Sequence, residues 1–247
     1  MALASQRRPQ SQSLKALMGV RDLILSGQVR PGERLSEIAI AEKLGISRTP
    51  IRAALARLEQ ESLIELIPSG GFAVRSFTRD EVIDAIELRG VLEGTAARLA
   101  AERGVPPAKL RAIKDLVSAL DETMADRPED MHFDRYVELN AQFHDALARL
   151  AGSETIRREI ERVTRLPFAS PSAFLDKQSD VPEFRRSLIV GQAQHRAIVN
   201  AIELREGGRA EALAREHGRL ARQNLEYVVE HDRSLMRRVP ALALVTG

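Results

Sequence analysis

Apolar positions recur along this chain with two different periods, and the places where the period changes mark its elements. From Ser11 or Ser13 to about Ser26, Leu14, Leu17, Met18, Leu23, Ile24 and Leu25 repeat at helical spacing, and Gly27 supplies a stop. Pro31-Gly32 makes a turn. Ser36 then caps a short helix whose apolar positions are Ile38, Ile40, Ala41 and Leu44, ended by Gly45. Ser47 opens a third helix in which Ile51, Ala54, Leu55 and Leu58 form one stripe. "LIELI" and "FAVRSF" are short strand-like runs around "PSGG", a pattern that predicts a β-hairpin.

At "TRDE" the character changes. Thr78 followed by Glu81 is a capping-box pattern, and beyond it helical spacing continues nearly to the end. Breaks at Gly104 to Pro107, Arg127-Pro128, Gly152-Ser153, 167–182 and Gly207-Gly208 predict helices over about 79–103, 106–126, 129–151, 154–166, 182–206 and 208–234. The expected fold is mainly α. A disordered tail at 1–10 precedes a winged helix-turn-helix domain with a small β-hairpin wing at 11–77. An all-α antiparallel bundle at 78–235 and a C-terminal tail at 236–247 follow. No repeat points to a solenoid, and "LPFASPSAFLDKQSDVP" is expected as an irregular loop over the bundle.

A chain of 247 residues with 44% apolar content is long enough to bury two cores. No apolar run reaches the length of a membrane span or of a secretory leader, which predicts a cytoplasmic protein. Cysteine is absent, so any metal must sit on His, Asp, Glu, Asn or backbone oxygen. The net charge of +2 hides an asymmetry: residues 1–77 carry 11 Lys/Arg against 7 Asp/Glu, and residues 78–247 carry 26 against 28. The basic excess lies at the front. Aromatics make up only 4% of the chain and Trp is missing, which argues against a single-strand binder that stacks bases on aromatic platforms.

In the third helix Arg48 and Arg52 share a face away from the apolar stripe, with Thr49 beside them. A helix of this size fits a major groove, where the arginines would reach guanine edges or phosphates and Thr49 would add a contact; the alternative is a solvated charged face. "VRPGERLSEIAIAEKLGISRTPIRAALARLEQESLIELIPSGGFAVRSF" closely resembles the DNA-binding domain of the GntR family of bacterial transcription regulators, above all in "GISRTPIRAAL". The resemblance implies that Arg48 and Arg52 contact operator bases and that the wing, with Gly70 and Gly71, reaches the minor groove. It also exposes a departure. Many members carry a Glu-Arg-Glu run on the second helix whose arginine touches DNA, where this chain has Ile38-Ala39. Arg34, just ahead of that helix, is the candidate replacement as a phosphate contact, or else a solvated turn residue.

Three of the five histidines lie on inward stripes of three separate helices: His144 before Leu147, His195 before Ile198 and Val199, and His217 between Leu213 and Leu220. Each alone reads as a core imidazole satisfied by one polar partner; together they suit a bundle-core metal site. His132 and His231 fall near helix ends and read as surface residues. "ELRGVLEGTAARLAAER", "LNAQFHDALARLAGSETI" and "QHRAIVNAIELREGGRAEALAREH" are similar to blocks of the FCD effector domain found in one GntR branch. In its metal-binding members an Asp or Asn, a His four residues later and two further histidines surround one divalent ion, which implies Asn140, His144, His195 and His217 here. Zinc, nickel or manganese suits such donors.

Arg89 resembles an arginine that pairs with the effector carboxylate in that branch; the alternative is a helix-surface ion pair with Glu93 at i+4. A neutral amide at 140 leaves the charge of a dication uncompensated, which favours a small carboxylate effector bound on the metal. The expected protein is therefore a regulator of a metabolic operon, a repressor in the family's usual habit. It would be a homodimer on an inverted-repeat operator of double-stranded DNA, with effector binding altering operator affinity. Two other readings stand beside it: a metal-free bundle for a bulkier ligand such as an acyl-CoA, and a metal-dependent hydrolase, against which no H-E-x-x-H motif is present.

Overall fold

A computed structural model describes residues 12–125, 130–166, 169–171, 182–231, 242 and 244–246. The expected N-terminal tail and most of the expected loop at 167–182 lie outside them. The chain divides into two compact units, Met1–Phe77 with Pro240–Gly247, and Thr78–Val239.

In the first unit, α1 (Gln12–Leu25) packs on α3 (Arg48–Gln60), and α2 (Glu37–Leu44) closes against α3. Ala16, Val20 and Ile24 from α1 and Ile51, Leu55 and Leu58 from α3 are completely buried, as their helical spacing demands. Ser36 accepts a hydrogen bond from the Ala39 N–H to start α2, and Gly45 ends it in a left-handed conformation at φ 65°. Ser47 precedes α3 in extended conformation without a side-chain cap bond.

The hairpin strands β2 (Ile64–Leu66) and β3 (Phe72–Val74) form antiparallel, but the sheet has a third member that the sequence pattern does not predict. Strand β1 (Arg34–Leu35) pairs with β3, Arg34 opposite Ala73 and Leu35 opposite Phe72, giving the order β1-β3-β2. A second correction concerns the expected C-terminal tail. Leu242 and Leu244 are buried, and β5 (Val245–Thr246) pairs with β4 (Phe77–Thr78), the Thr246 hydroxyl donating to the Phe77 carbonyl at 3.3 Å. Apolar burial anchors this end of the chain, in keeping with the uncharged run "VPALALVTG" that closes it.

In the second unit, Thr78 and Glu81 form both bonds of a capping box at the start of α4 (Arg79–Arg103). Helices α5 (Pro107–Asp121), α6 (Phe133–Leu150), α7 (Glu154–Thr164), α8 (Pro182–Glu203) and α9 (Gly207–His231) follow. The α5 helix stops short of the predicted 126: Thr123 turns its hydroxyl back onto the Leu120 carbonyl at 2.6 Å, and Asp121 is drawn to Gln192 and Arg196 of α8. One continuous core collects Phe143 and Leu147 from α6, Ile113 and Leu120 from α5, Ile198 and Ile202 from α8 and Ala210 and Ala214 from α9.

Helix α4 crosses α9 unusually closely. A Cβ at Gly218 would stand 3.0 Å from the Cα of Gly90, and one at Gly94 would stand 3.0 Å from the Glu211 carbonyl, so these glycines are what lets the backbones approach. That approach brings Glu93 of α4 into the neighbourhood of His217 of α9.

Candidate metal centre and nucleic-acid interface

In the first unit Arg48, Thr49 and Arg52 all stand exposed at the N-terminal end of α3. The two arginines converge on a residue that sequence reading does not single out. Arg52 donates from Nε to Glu37 Oε1 at 3.1 Å and from Nη2 to Oε2 at 3.0 Å, while Arg48 donates from Nη2 to the same Oε2 at 3.3 Å. The hydrogen bond from Arg52 holds the Glu37 carboxyl below its ordinary range, and Arg48 adds to this. Glu37 thus fixes both guanidinium groups, which remain 58% and 65% exposed. Its signal in the sequence was only an acid in the first turn of α2, where any acid is favourable.

The wing turn runs from Ile67 to Gly71, with φ of 82° at Gly70 and 93° at Gly71, a region that favours glycine. Arg34 is exposed on β1 and lies over the wing: a Cβ at Gly71 would meet its Nε at 3.4 Å. Ile38 is 56% exposed.

In the second unit His144 of α6, His195 of α8 and His217 of α9 do converge, with donor atoms all within 4.8 Å of one another. The Nε2 of His217 lies 3.0 Å from Nε2 of His195 and 3.3 Å from Nε2 of His144. What faces the other side of each ring decides the protonation. Nδ1 of His144 sits 2.9 Å from Glu93 Oε1, Nδ1 of His195 3.0 Å from Gln192 Oε1, and Nδ1 of His217 3.1 Å from Gln194 Oε1. Gln192 is itself oriented, because its amide nitrogen donates to the Val117 carbonyl at 3.0 Å and to Asp121 Oδ1 at 2.8 Å. Its oxygen can therefore only accept. The carboxylate of Glu93 likewise accepts, so the ring protons belong on Nδ1 and the Nε2 lone pairs face one another.

Burial first, and then the neighbouring His217 and His144, hold His195 well below the usual imidazole range; burial and His144 bring His217 down to about 3. Those two rings are neutral at pH 7. Burial works against the charge on Glu93, but His144 and Arg89 outweigh it and hold this carboxyl down to about 2. Lone pairs pressed together at 3.0–3.3 Å repel unless a cation lies between them. A metal bonded to imidazole nitrogens at about 2.0–2.1 Å sets neighbouring donors about 2.9–3.4 Å apart, which these spacings match. The donor set therefore fits a divalent ion. Each ring already has the oxygen acceptor behind it that such ligands require.

Asn140, one turn before His144 on α6, donates its amide nitrogen to the Pro171 carbonyl at 3.4 Å, leaving its oxygen as the atom able to ligate. It lines, with His144 and His217, a cavity of about 50 Å³. Arg89 lines the same cavity and corrects one alternative from the sequence: it is 2% exposed, so its pair with Glu93 at 3.9 Å is buried and not on the helix surface. Arg89 Nη1 donates to the Ala169 carbonyl at 3.0 Å, while Arg89 Nε and Glu93 Oε2 are buried with no hydrogen-bond partner. His132 precedes α6 and is exposed, as expected of a surface residue, and the His231 side chain lies outside the described residues.

Residues 13–74 match the family described as bacterial regulatory proteins, gntR family, and residues 84–220 match the FCD domain. This chain belongs to the GntR family, in its FCD-bearing branch. Such a GntR/FCD chain is a transcriptional regulator and not an enzyme. It is 31% identical over 148 residues to the Nta operon transcriptional regulator of Aminobacter aminovorans, covering 60% of this chain and 68% of that one. It is 24% identical to the Glc operon transcriptional activator of Escherichia coli K12, covering 98% of this chain and 99% of that one. The solved structure of E. coli McbR/YncC shares the fold, with a TM-score of 0.63 and 20% identity, covering 89% of this chain and 98% of that one. No helix among the described residues of this GntR protein is long and apolar enough to cross a membrane.

Proposed function

We propose that this regulator acts in the cytoplasm as a homodimer on an inverted-repeat operator, and that its FCD unit holds a divalent ion to which a small carboxylate effector binds. On the DNA side, Arg48, Arg52 and Thr49 read major-groove edges, Arg34 contacts phosphate, and Gly70 and Gly71 let the wing backbone approach the minor groove. On the effector side, Asn140, His144, His195 and His217 hold zinc, nickel or manganese. Arg89 meets the effector carboxylate from the cavity wall.

The observation that carries the metal assignment is the convergence of three Nε2 atoms whose opposite ring nitrogens all rest on oxygen acceptors. The lining favours a small acid over the acyl chain of a coenzyme A ester, because Arg89, Asn140, His144 and His217 bring polar groups to the cavity. When bound, the ion supplies a positive charge and open coordination positions. The protein fixes the imidazole tautomers, buries the site and presents Arg89 beside it.

Isothermal titration of small carboxylates into metal-loaded and chelator-stripped protein tests the scheme. Affinity that disappears on stripping supports binding through the ion; equal affinity in both forms rules it out. Repression lifted by the effector is the proposed sign of regulation. A relative named as an activator makes the sign a matter for experiment: added effector should raise transcription in vitro from an operator-bearing promoter, and a fall would reverse the sign.

A further inference from the structure

The cavity beside the histidines has a polar group that neither the metal assignment nor the carboxylate assignment uses. Asn224 of α9 is 9% exposed and lines the cavity together with His217 and Arg89. Helical spacing explains its place, because residues 217, 220, 221 and 224 share one face and all four line the cavity. Two turns of helix separate His217 from Asn224, about 10 Å along the axis between their Cα atoms. The histidine marks one end of the α9 wall and the amide the other. Among the described residues no group hydrogen-bonds the Asn224 side chain. The other buried amides among the described residues have partners, Gln192 on Val117 and Asp121 and Asn140 on Pro171, and the half-buried Gln194 rests on His217.

A buried amide beside a cavity, without a partner among the described residues, is costly unless a ligand or water completes it. It offers one donor and one acceptor end, so it matches an oxygen-bearing group and not a methyl. We infer that Asn224 selects the effector by its far end. The ligand is a short carboxylate that carries a second oxygen, as hydroxyl or as carboxylate, which Asn224 hydrogen-bonds while the first carboxylate meets the metal and Arg89. This inference rests on the carboxylate assignment proposed above. It adds the chemical class: an oxygenated acid of a few carbons and not a simple fatty acid.

Three four-carbon acids matched in length test it: butyrate, γ-hydroxybutyrate and succinate, each titrated calorimetrically into the zinc-loaded full-length protein. The unmodified protein should bind γ-hydroxybutyrate, succinate or both at least about tenfold more tightly than butyrate, the effect of one well-made hydrogen bond. Asn224→Leu should erase that preference while zinc stoichiometry and the melting profile stay as in the unmodified protein. Asn224→Asp separates the two sources of the oxygen: it should weaken succinate by charge repulsion and retain the hydroxy acid. Equal affinities for all three acids in the unmodified protein, or a preference that survives in a folded Asn224→Leu protein, would overturn the inference and leave the carboxylate assignment standing. Binding of none of the three acids, to protein shown to hold zinc, would overturn both.

Discussion

Glu93 Oε1 lies 2.9 Å from Nδ1 of His144, and both side chains are at least 95% buried. A carboxylate in that position fixes the ring tautomer and raises the basicity of the opposite nitrogen. Glu93→Gln keeps an acceptor but removes the charge, and should weaken zinc binding by about tenfold; Glu93→Ala should weaken it by up to about a hundredfold. Competition against a chromophoric chelator measures both. The Ala variant should also melt earlier, because it leaves the Arg89 guanidinium buried without its carboxylate.

The close crossing of α4 and α9 makes a second prediction. Gly218→Ala would put a Cβ 3.0 Å from the Cα of Gly90, a backbone atom that cannot rotate away. The helices must separate, at a cost of about 1–3 kcal/mol, and His217 beside it moves with α9. Thermal unfolding should show a lower melting temperature, and metal titration a weaker site.

Gly191 offers a contrasting case. A Cβ there would stand 3.4 Å from Leu220 Cδ1 and 3.5 Å from His217 Cε1, in ordinary van der Waals contact, but it would fill the cavity wall. Gly191→Ala should keep its metal and fold, with a gain of about 0.5–1 kcal/mol from the helix backbone, while its affinity for carboxylates drops. Retained carboxylate affinity in this variant would place the effector elsewhere.

Glu37 carries the prediction for the DNA face. It neutralises part of the charge of Arg48 and Arg52 and holds Arg52 by its Nε–Nη2 edge. Glu37→Gln removes a negative charge from a surface meant for phosphate, so affinity for random duplex should rise, most at low salt. Discrimination between selected and random duplex should fall, because the guanidinium groups lose their fixed direction. Fluorescence anisotropy across a salt series reads both effects; a parallel loss of both affinities would mean that Glu37 serves the fold alone.

Much of this was legible in the sequence where two signals coincide. Thr78 and Glu81 announce α4, and Arg103 before Gly104 closes it, so both limits of that helix follow from caps and period together. The three histidines are visible because each sits on an apolar stripe, and a stripe says which way a side chain points. What a stripe cannot say is which neighbour it meets. Glu93, Gln192, Gln194 and Glu37 are ordinary polar residues of helices, and their roles come from partners on other helices or, for Gln192 and His195, from a pairing only the folded backbone sets. Asn224 stands out only because its face of α9 lines a cavity. Strands β1 and β5 were missed for a related reason. Two residues carry no alternation, and each strand exists because a partner far along the chain offers its edge.

The most direct test of the metal centre is elemental analysis of the full-length protein purified without chelators, run beside His195→Ala. One divalent ion per chain in the unmodified protein, absent from the variant, is the expected result. Protein that carries no metal and still takes up none when zinc, nickel or manganese is supplied would contradict it.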